Sequence, residues 1–453
     1  MLKKKISAVI LVVLVIMAVF TGCAEPEPLR ILVDADAREF SEQSCKSMME
    51  DFVEIAAGLG GPSDVIIEVL PDLDETRETA LERIRTEIMA GNGPDLFVVR
   101  CNRGENSRDL LFPIPEKAMA NGLFLPLDDY IENAQFMEWD KHTQVIMEAG
   151  RDAYGQQMIP MVYTMPLTFY RESDIPDVKP GKDTTWKDML EDESGILAAA
   201  TTWFHRDAEE YRFINSDHHY LEYILGDLAD FEADTLLFTE EELLARVTEV
   251  LDMENAYMSG EIPPVPAHYQ TRMHIGYDYK LDHGMPYGMW IDTRFGGADP
   301  YRGIKFEDAQ TMIPIYSDDG GVTASIAAFA AINANTKRAD DAFFLLDLLL
   351  SREWQQKLDL YDEYFGGGAA GIPIHEDLMQ RRYPVNSIFF ITNDNFEEYS
   401  RVREQITRAH FRGDLPDCFD DMFRKCKAAY ARGQDMAPIV AEYYAKLKIM
   451  MAE

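Results

Sequence analysis

With 453 residues, 47% of them apolar, the chain is long enough for two or three domains and too apolar for global disorder. Its formal net charge of −37 excludes nucleic acid and anionic lipid headgroups as general partners, because a surface of one sign repels polyanions. The chain opens on Lys3-Lys4-Lys5 and a 15-residue apolar run, Ile6–Phe20. That run is short for a membrane span of about 20 residues and suits the core of a signal peptide. Without residues 1–22 the chain keeps 40 basic and 80 acidic residues.

Arg30–Ala35 reads as a first buried strand. Cys45, Met48, Met49, Phe52, Val53 and Ala56 then trace a helical stripe that Gly58, Gly60, Gly61 and Pro62 end. Val65–Leu70 is a second strand, and Asp74 is placed to cap a second helix with Ala80, Leu81, Ile84 and Ile88 on its apolar face. Gly91 sits where a helix stop wants a left-handed residue, and Pro94 forbids helix beyond it. Leu96–Val99 is a continuous apolar run, the pattern of a parallel strand covered on both faces, with Asp95 at its start.

This alternation predicts a parallel sheet with right-handed crossovers. Ligands of open sheets meet the carboxyl ends of the strands, which points at Asp34, Asp36, Arg100 and Asn102. No GxGxxG follows the first strand, so no dinucleotide is expected.

Several other chemistries find no support. Cys45, Cys101, Cys418 and Cys426 form no CxxC pair and no metal spacing with histidine; free core thiols are expected, with a disulfide still open in an exported protein. A Walker A loop, a GxSxG elbow and an HExxH pair are all missing from the sequence. His205-Arg206-Asp207 resembles a kinase triplet, but Arg212 stands where its asparagine belongs. His218-His219 beside Asp217 reads as a solvated loop. No catalytic residue, metal or cofactor is therefore expected.

Phe20-Thr21-Gly22-Cys23 resembles a bacterial lipobox. This implies cleavage before Cys23, diacylglycerol on its thiol and a short tether from Ala24 to Pro28; an uncleaved signal anchor is the alternative. Gly91–Val99, Asn121–Ile131, Ala153–Tyr163, Leu167–Tyr170, Thr184–Leu190, Met312–Tyr316, Asp318–Gly321 and Gly371–Ile374 resemble, in order, the extracellular solute-binding proteins of ABC importers, the class that includes maltose-type binding proteins. The resemblance is strongest over Ala334–Leu346 and on through Gln356, covers most of residues 30–380, and fails between about 195 and 310.

The resemblance implies an α/β, two-lobed periplasmic-binding-protein fold of type II kind, each lobe a mixed sheet flanked by helices. Residues 1–22 would be the leader and 23–29 the tether. The first lobe would be 30–160 with 318–365, and the second 161–317 with 366–453. Chain crossings are expected near Met158–Pro166, at Ile313–Ser317 and at Gly366-Gly367-Gly368, and the tail after Asn393 reads as helical, with Ile439, Val440, Tyr443, Tyr444 and Leu447 clamping one lobe.

The implied activity is capture of a small solute outside the cell for an ABC permease, with the membrane reached through the lipid on Cys23. Sugars need flat rings for their C–H faces and carboxylates or amides for their hydroxyls. His283–Arg294 carries both kinds in Tyr287, Trp290 and Asp292, although Tyr287 and Trp290 also suit a core. Trp203 beside His205 is a second candidate, and of Tyr163 and Tyr170, which flank the first crossing, one is a candidate to line the cleft. Trp139, Trp186 and Trp354 are expected to pack. A carbohydrate, in particular an oligosaccharide, is the first expectation. A peptide or polyamine ligand, a sensing role without import, and a surface glycoside hydrolase are the alternatives.

Overall fold

A computed structural model describes residues 27–34, 42–71, 74–101, 109–171, 181–190, 221–259, 289–292, 310–360, 372–379 and 396–452. The chain begins β1 (Leu29–Asp34), α1 (Glu42–Gly58), β2 (Val65–Val69), α2 (Asp74–Met89) and β3 (Leu96–Arg100). β1 lies between β2 and β3 and is parallel to both, so Ile31 pairs with Ile67 on one side and Leu96 on the other. Cys45, Met48, Met49, Phe52 and Ala56 form the buried stripe of α1. α2 stops as its sequence dictates. Gly91 takes a φ of +74° and its N–H reaches the Ile88 carbonyl (2.9 Å), while the Asn92 N–H reaches the Glu87 carbonyl (2.9 Å). These two bonds satisfy carbonyls that the helix end would otherwise leave open.

Next come α3 (Pro115–Ala120), β4 (Met158–Thr164), β5 (Pro166–Arg171), α4 (Trp186–Leu190), α5 (Leu221–Leu225), α6 (Glu240–Ser259), β6 (Met289–Asp292) and β7 (Gln310–Pro314). The chain closes with β8 (Val322–Ile332), α7 (Ala339–Leu349), α8 (Arg352–Leu360), β9 (Ile372–Pro373), α9 (Phe396–Arg403), β10 (Ile406–Phe411), α10 (Asp414–Tyr430) and α11 (Ala437–Ala452). The large sheet runs β9-β4-β8-β3-β1-β2, with β10 also on β8. β8 is its spine, and all eleven of its residues are buried. Its second half is antiparallel to β3 and β4, and its first half is parallel to β10, so the sheet is mixed. A smaller antiparallel sheet has the order β6-β5-β7.

Two hydrophobic cores form among the described residues. The first covers both faces of the large sheet and includes Val33, Phe52, Phe97, Phe124, Phe329 and Leu346. The second is mainly helical, with Trp186, Val247, Phe419, Met422, Val440 and Leu447. Met165 alone separates β4 in the large sheet from β5 in the small one. The chain returns between Pro314 of β7 and Val322 of β8, where Tyr316 bridges to Val322. The triple glycine Gly366–Gly368 lies outside the described residues.

The tail departs from the helical expectation. Ile406–Phe411 is strand β10, because the first half of β8 offers it a free edge to pair with. Ile374, Val402, Ile406 and Phe411 bury in the first core, although they fall within the segment 366–453 that the sequence assigns to the second lobe. Val440, Tyr443 and Leu447 of α11 do bury in the second core, with Ile439 and Tyr444 packed on it. Cys45, Cys101, Cys418 and Cys426 are free and buried.

Asp95 ties three segments at the foot of the large sheet. One carboxylate oxygen accepts the Arg30 backbone N–H (2.8 Å), the other accepts the Thr336 hydroxyl, and the Asp95 N–H donates to the Arg30 carbonyl (2.8 Å). Asp95→Ala should therefore cost about 2 kcal/mol of folding free energy. The loss is read as a lower urea midpoint at unchanged slope.

Candidate functional site

Asp34 and Arg100 end β1 and β3 side by side, at the carboxyl edge where ligands of such sheets bind. The structure pairs them with each other and adds a third residue on Asp34. Arg77 forks onto Asp34, Nη1 to Oδ1 at 2.9 Å and Nη2 to Oδ2 at 2.7 Å, and Arg100 Nε lies 3.5 Å from Asp34 Oδ1. Arg77 also donates to the carbonyls of Asp109 (2.9 Å) and Pro71 (3.2 Å). Asp34 is 1% exposed and Arg77 2%, so this ion pair is part of the interior rather than a surface for a ligand. It fixes the edge from which the segments after β1 and β3 depart. Arg77 was missed by the sequence reading. The available signal was a cation in the first turn of α2, where the helix dipole disfavours it unless a carboxylate answers.

The crossing places other candidates together. In the small sheet Trp290 pairs with Thr168, Asp292 with Pro166 and Tyr170 with Thr311. Directly paired residues and residues two apart occupy one face of an antiparallel sheet. Tyr170, Trp290 and Asp292 therefore hold positions on a single face, with Thr168 and Thr311 between them. That face starts where the chain leaves the large sheet. Tyr163, by contrast, is fully buried in the first core. Asp36, Asn102, Trp203 and Tyr287 lie outside the described residues. Trp186 and Trp354 are buried, the latter with its ring 4.7 Å from Phe52.

A cavity elsewhere had no sequence signal. A cavity of about 380 Å³ opens between α3, the segment 148–152, the segment 226–232 and the junction of β10 with α10. Its walls come from both cores, Met119 and Phe411 from the first and Leu228 and Leu415 from the second. Glu116 lines it at 8% exposure, one oxygen accepting the Phe411 N–H at 3.0 Å. Burial pushes the Glu116 carboxyl up to about 7, against the pull of its own backbone N–H and of the Phe411 N–H. His410, also on the wall, is held neutral: burial, then Arg412 and Arg408, push it down to about 3. Among the described residues no group of three or more His, Cys, Asp or Glu is placed to hold a metal, and no helix is long and apolar enough to cross a membrane.

No protein-family model and no curated protein matches the chain. Solved structures do. A periplasmic oligogalacturonide-binding protein from Yersinia enterocolitica superposes with a TM-score of 0.55 at 12% identity, over 94% of this chain and 99% of that one. An extracellular solute-binding protein of family 1 from Alicyclobacillus acidocaldarius gives 0.52 at 14% identity, over 94% and 98%. A de novo designed esterase gives 0.54 at 11% identity, over 94% and 98%. The end-to-end coverage, the mixed large sheet and the two chain crossings together show that the chain has the two-lobed α/β fold of the extracellular solute-binding proteins.

Proposed function

We propose that the protein captures a small solute, a carbohydrate first, in the cleft between its lobes and passes it to an ABC permease. The first lobe is taken as residues 30–160 with 318–365 and the segments of β9 and β10 that join its sheet, the second as 161–317 with the rest of 366–453, and the body is held at the outer membrane face by lipid on Cys23. The observation that carries the reading is the single sheet face, adjoining the crossing, that holds Tyr170, Trp290 and Asp292. Aromatic rings offer stacking to sugar C–H faces, and a carboxylate accepts from hydroxyls. Ligand touching both lobes stabilises the closed state, which the permease reads. The net charge of −37 favours a neutral sugar over a uronide, even though a neighbour of the same fold binds oligogalacturonide.

A thermal-shift screen over neutral oligosaccharides, uronides, peptides and amines tests this. A cognate neutral sugar at a hundred times its Kd should add about 2.7 kcal/mol. Trp290→Ala should remove that gain without unfolding the protein. Recovery of intact sugar after incubation fits a binding protein, and cleavage products would favour a hydrolase. No response to any neutral sugar overturns the carbohydrate assignment.

A further inference from the structure

The second chain crossing, from Pro314 to Val322, changes core between neighbouring residues: Ile315 buries in the second and Tyr316 in the first. The turn that follows, Ser317–Gly321, is seated on the second lobe. The Trp186 N–H donates to the Ser317 carbonyl (3.0 Å), the Asp318 N–H to the Ile224 carbonyl (2.9 Å) and the Gly321 N–H to the Thr184 carbonyl (3.1 Å). Arg246 of α6 pairs with the Asp318 carboxylate. Trp186, Ile224 and Val247, the neighbour of Arg246, all bury in the second core.

Arg408 approaches the same turn from the first lobe. It sits on β10 between Ile406 and Phe411 of the first core and pairs with Thr323 of β8. Its guanidinium forks onto Asp319, Nη1 to Oδ1 and Nη2 to Oδ2, both at 2.6 Å, and its Nε lies 3.8 Å from Asp227 Oδ1. Asp227 directly precedes Leu228 of the second core. One first-lobe cation therefore holds a carboxylate of the crossing and a carboxylate of the second lobe. Gly226 makes room for it: its φ is +74°, and a Cβ there would collide with Arg408 Nη1. The Ser317 hydroxyl steadies the Asp319 carboxylate (2.8 Å), and the Thr407 hydroxyl adds a long bond to the Gly320 carbonyl (3.4 Å). A forked pair fixes orientation as well as distance, so rotation of one lobe about the crossing has to bend or break it.

We infer that Arg408 is a positioning residue for the two lobes, an ionic brace to Asp319 and Asp227 that sets how they stand across the crossing. The inference rests on the two-lobed closure proposed above but not on the identity of the solute.

Two nitroxide labels test it, one at Met89→Cys on the exposed end of α2 and one at Ile449→Cys on the exposed face of α11. Double electron–electron resonance reads the distance between them, with the chain lacking both introduced cysteines as background. At low salt the braced chain should give one dominant distance. Arg408→Met should raise a second distance about fivefold, the fold-change that corresponds to about 1 kcal/mol. Asp319→Asn, made on an exposed side chain, should raise the same distance. Gly226→Ala should do so as well, because it pushes the guanidinium aside without changing a charge. Arg408→Lys keeps the charge without the fork and should fall between. In 1 M salt, where the screening length is about 3 Å, the braced chain should move towards the Arg408→Met distribution. Distances that stay unchanged in Arg408→Met and Asp319→Asn overturn the inference, even if the urea midpoint falls, since that pattern marks a merely structural ion pair. The labels report without any sugar, so a silent sugar screen would sink the carbohydrate assignment alone, and unchanged distances would sink the brace alone.

Discussion

Replacing Arg77 with methionine is expected to lower the folding free energy by about 3–5 kcal/mol, the cost of stranding one partner of a buried ion pair. Methionine keeps much of the arginine stem but removes the fork. Among the described residues Asp34, at 1% exposure, would keep only Arg100 at 3.5 Å, and the carbonyls of Asp109 and Pro71 would each lose a donor. Urea denaturation followed by far-UV circular dichroism measures the loss. The double variant Asp34→Leu with Arg77→Met should recover most of it, because it removes both charges and fills the space with apolar atoms. A loss under about 1 kcal/mol would mean that water or a ligand reaches Asp34, and would return that carboxylate to the list of sugar contacts.

The stability of the wild-type protein should fall by about 3 kcal/mol relative to Glu116→Gln as pH rises from 4.5 to 8. The sign follows from the direction of the shift. The Glu116 carboxyl moves from 4.5 to about 7 on folding. Between those values the folded chain holds a proton that the unfolded chain has released, so its contribution is complete below 4.5 and is lost as pH passes through 7. Each pH unit of that window is worth about 1.4 kcal/mol. Urea midpoints of both proteins at pH 5 and pH 8 give the difference directly, and glutamine cancels the other titrating groups that the two share. A difference that stays flat with pH would show that cavity water solvates the carboxylate.

These two residues mark how far the sequence reaches. The helix stop at Gly91, the buried strand Leu96–Val99 and the apolar stripe of α1 were legible because each is set locally. A left-handed turn needs a glycine, and a buried face repeats with the period of its own element. The ordered run of motifs from Gly91 to Ile374 carried the architecture itself. Tyr163 shows the limit of that kind of reading: it flanks the crossing as the sequence suggests, yet the pleat of β4 turns it fully into the first core.

What the chain pairs with across long distances belonged to the tertiary structure alone. Arg77 reaches Asp34 over 43 positions, and β10 joins β8 within a tail that reads as helix. The face shared by Tyr170, Trp290 and Asp292 is a matter of strand register, and the cavity around Glu116 is assembled from four separate segments. Periodicity states which side of an element is buried but not against what. Register, ion pairing and cavities are fixed by the joint packing of elements distant in the chain, a property that no stretch of residues carries by itself.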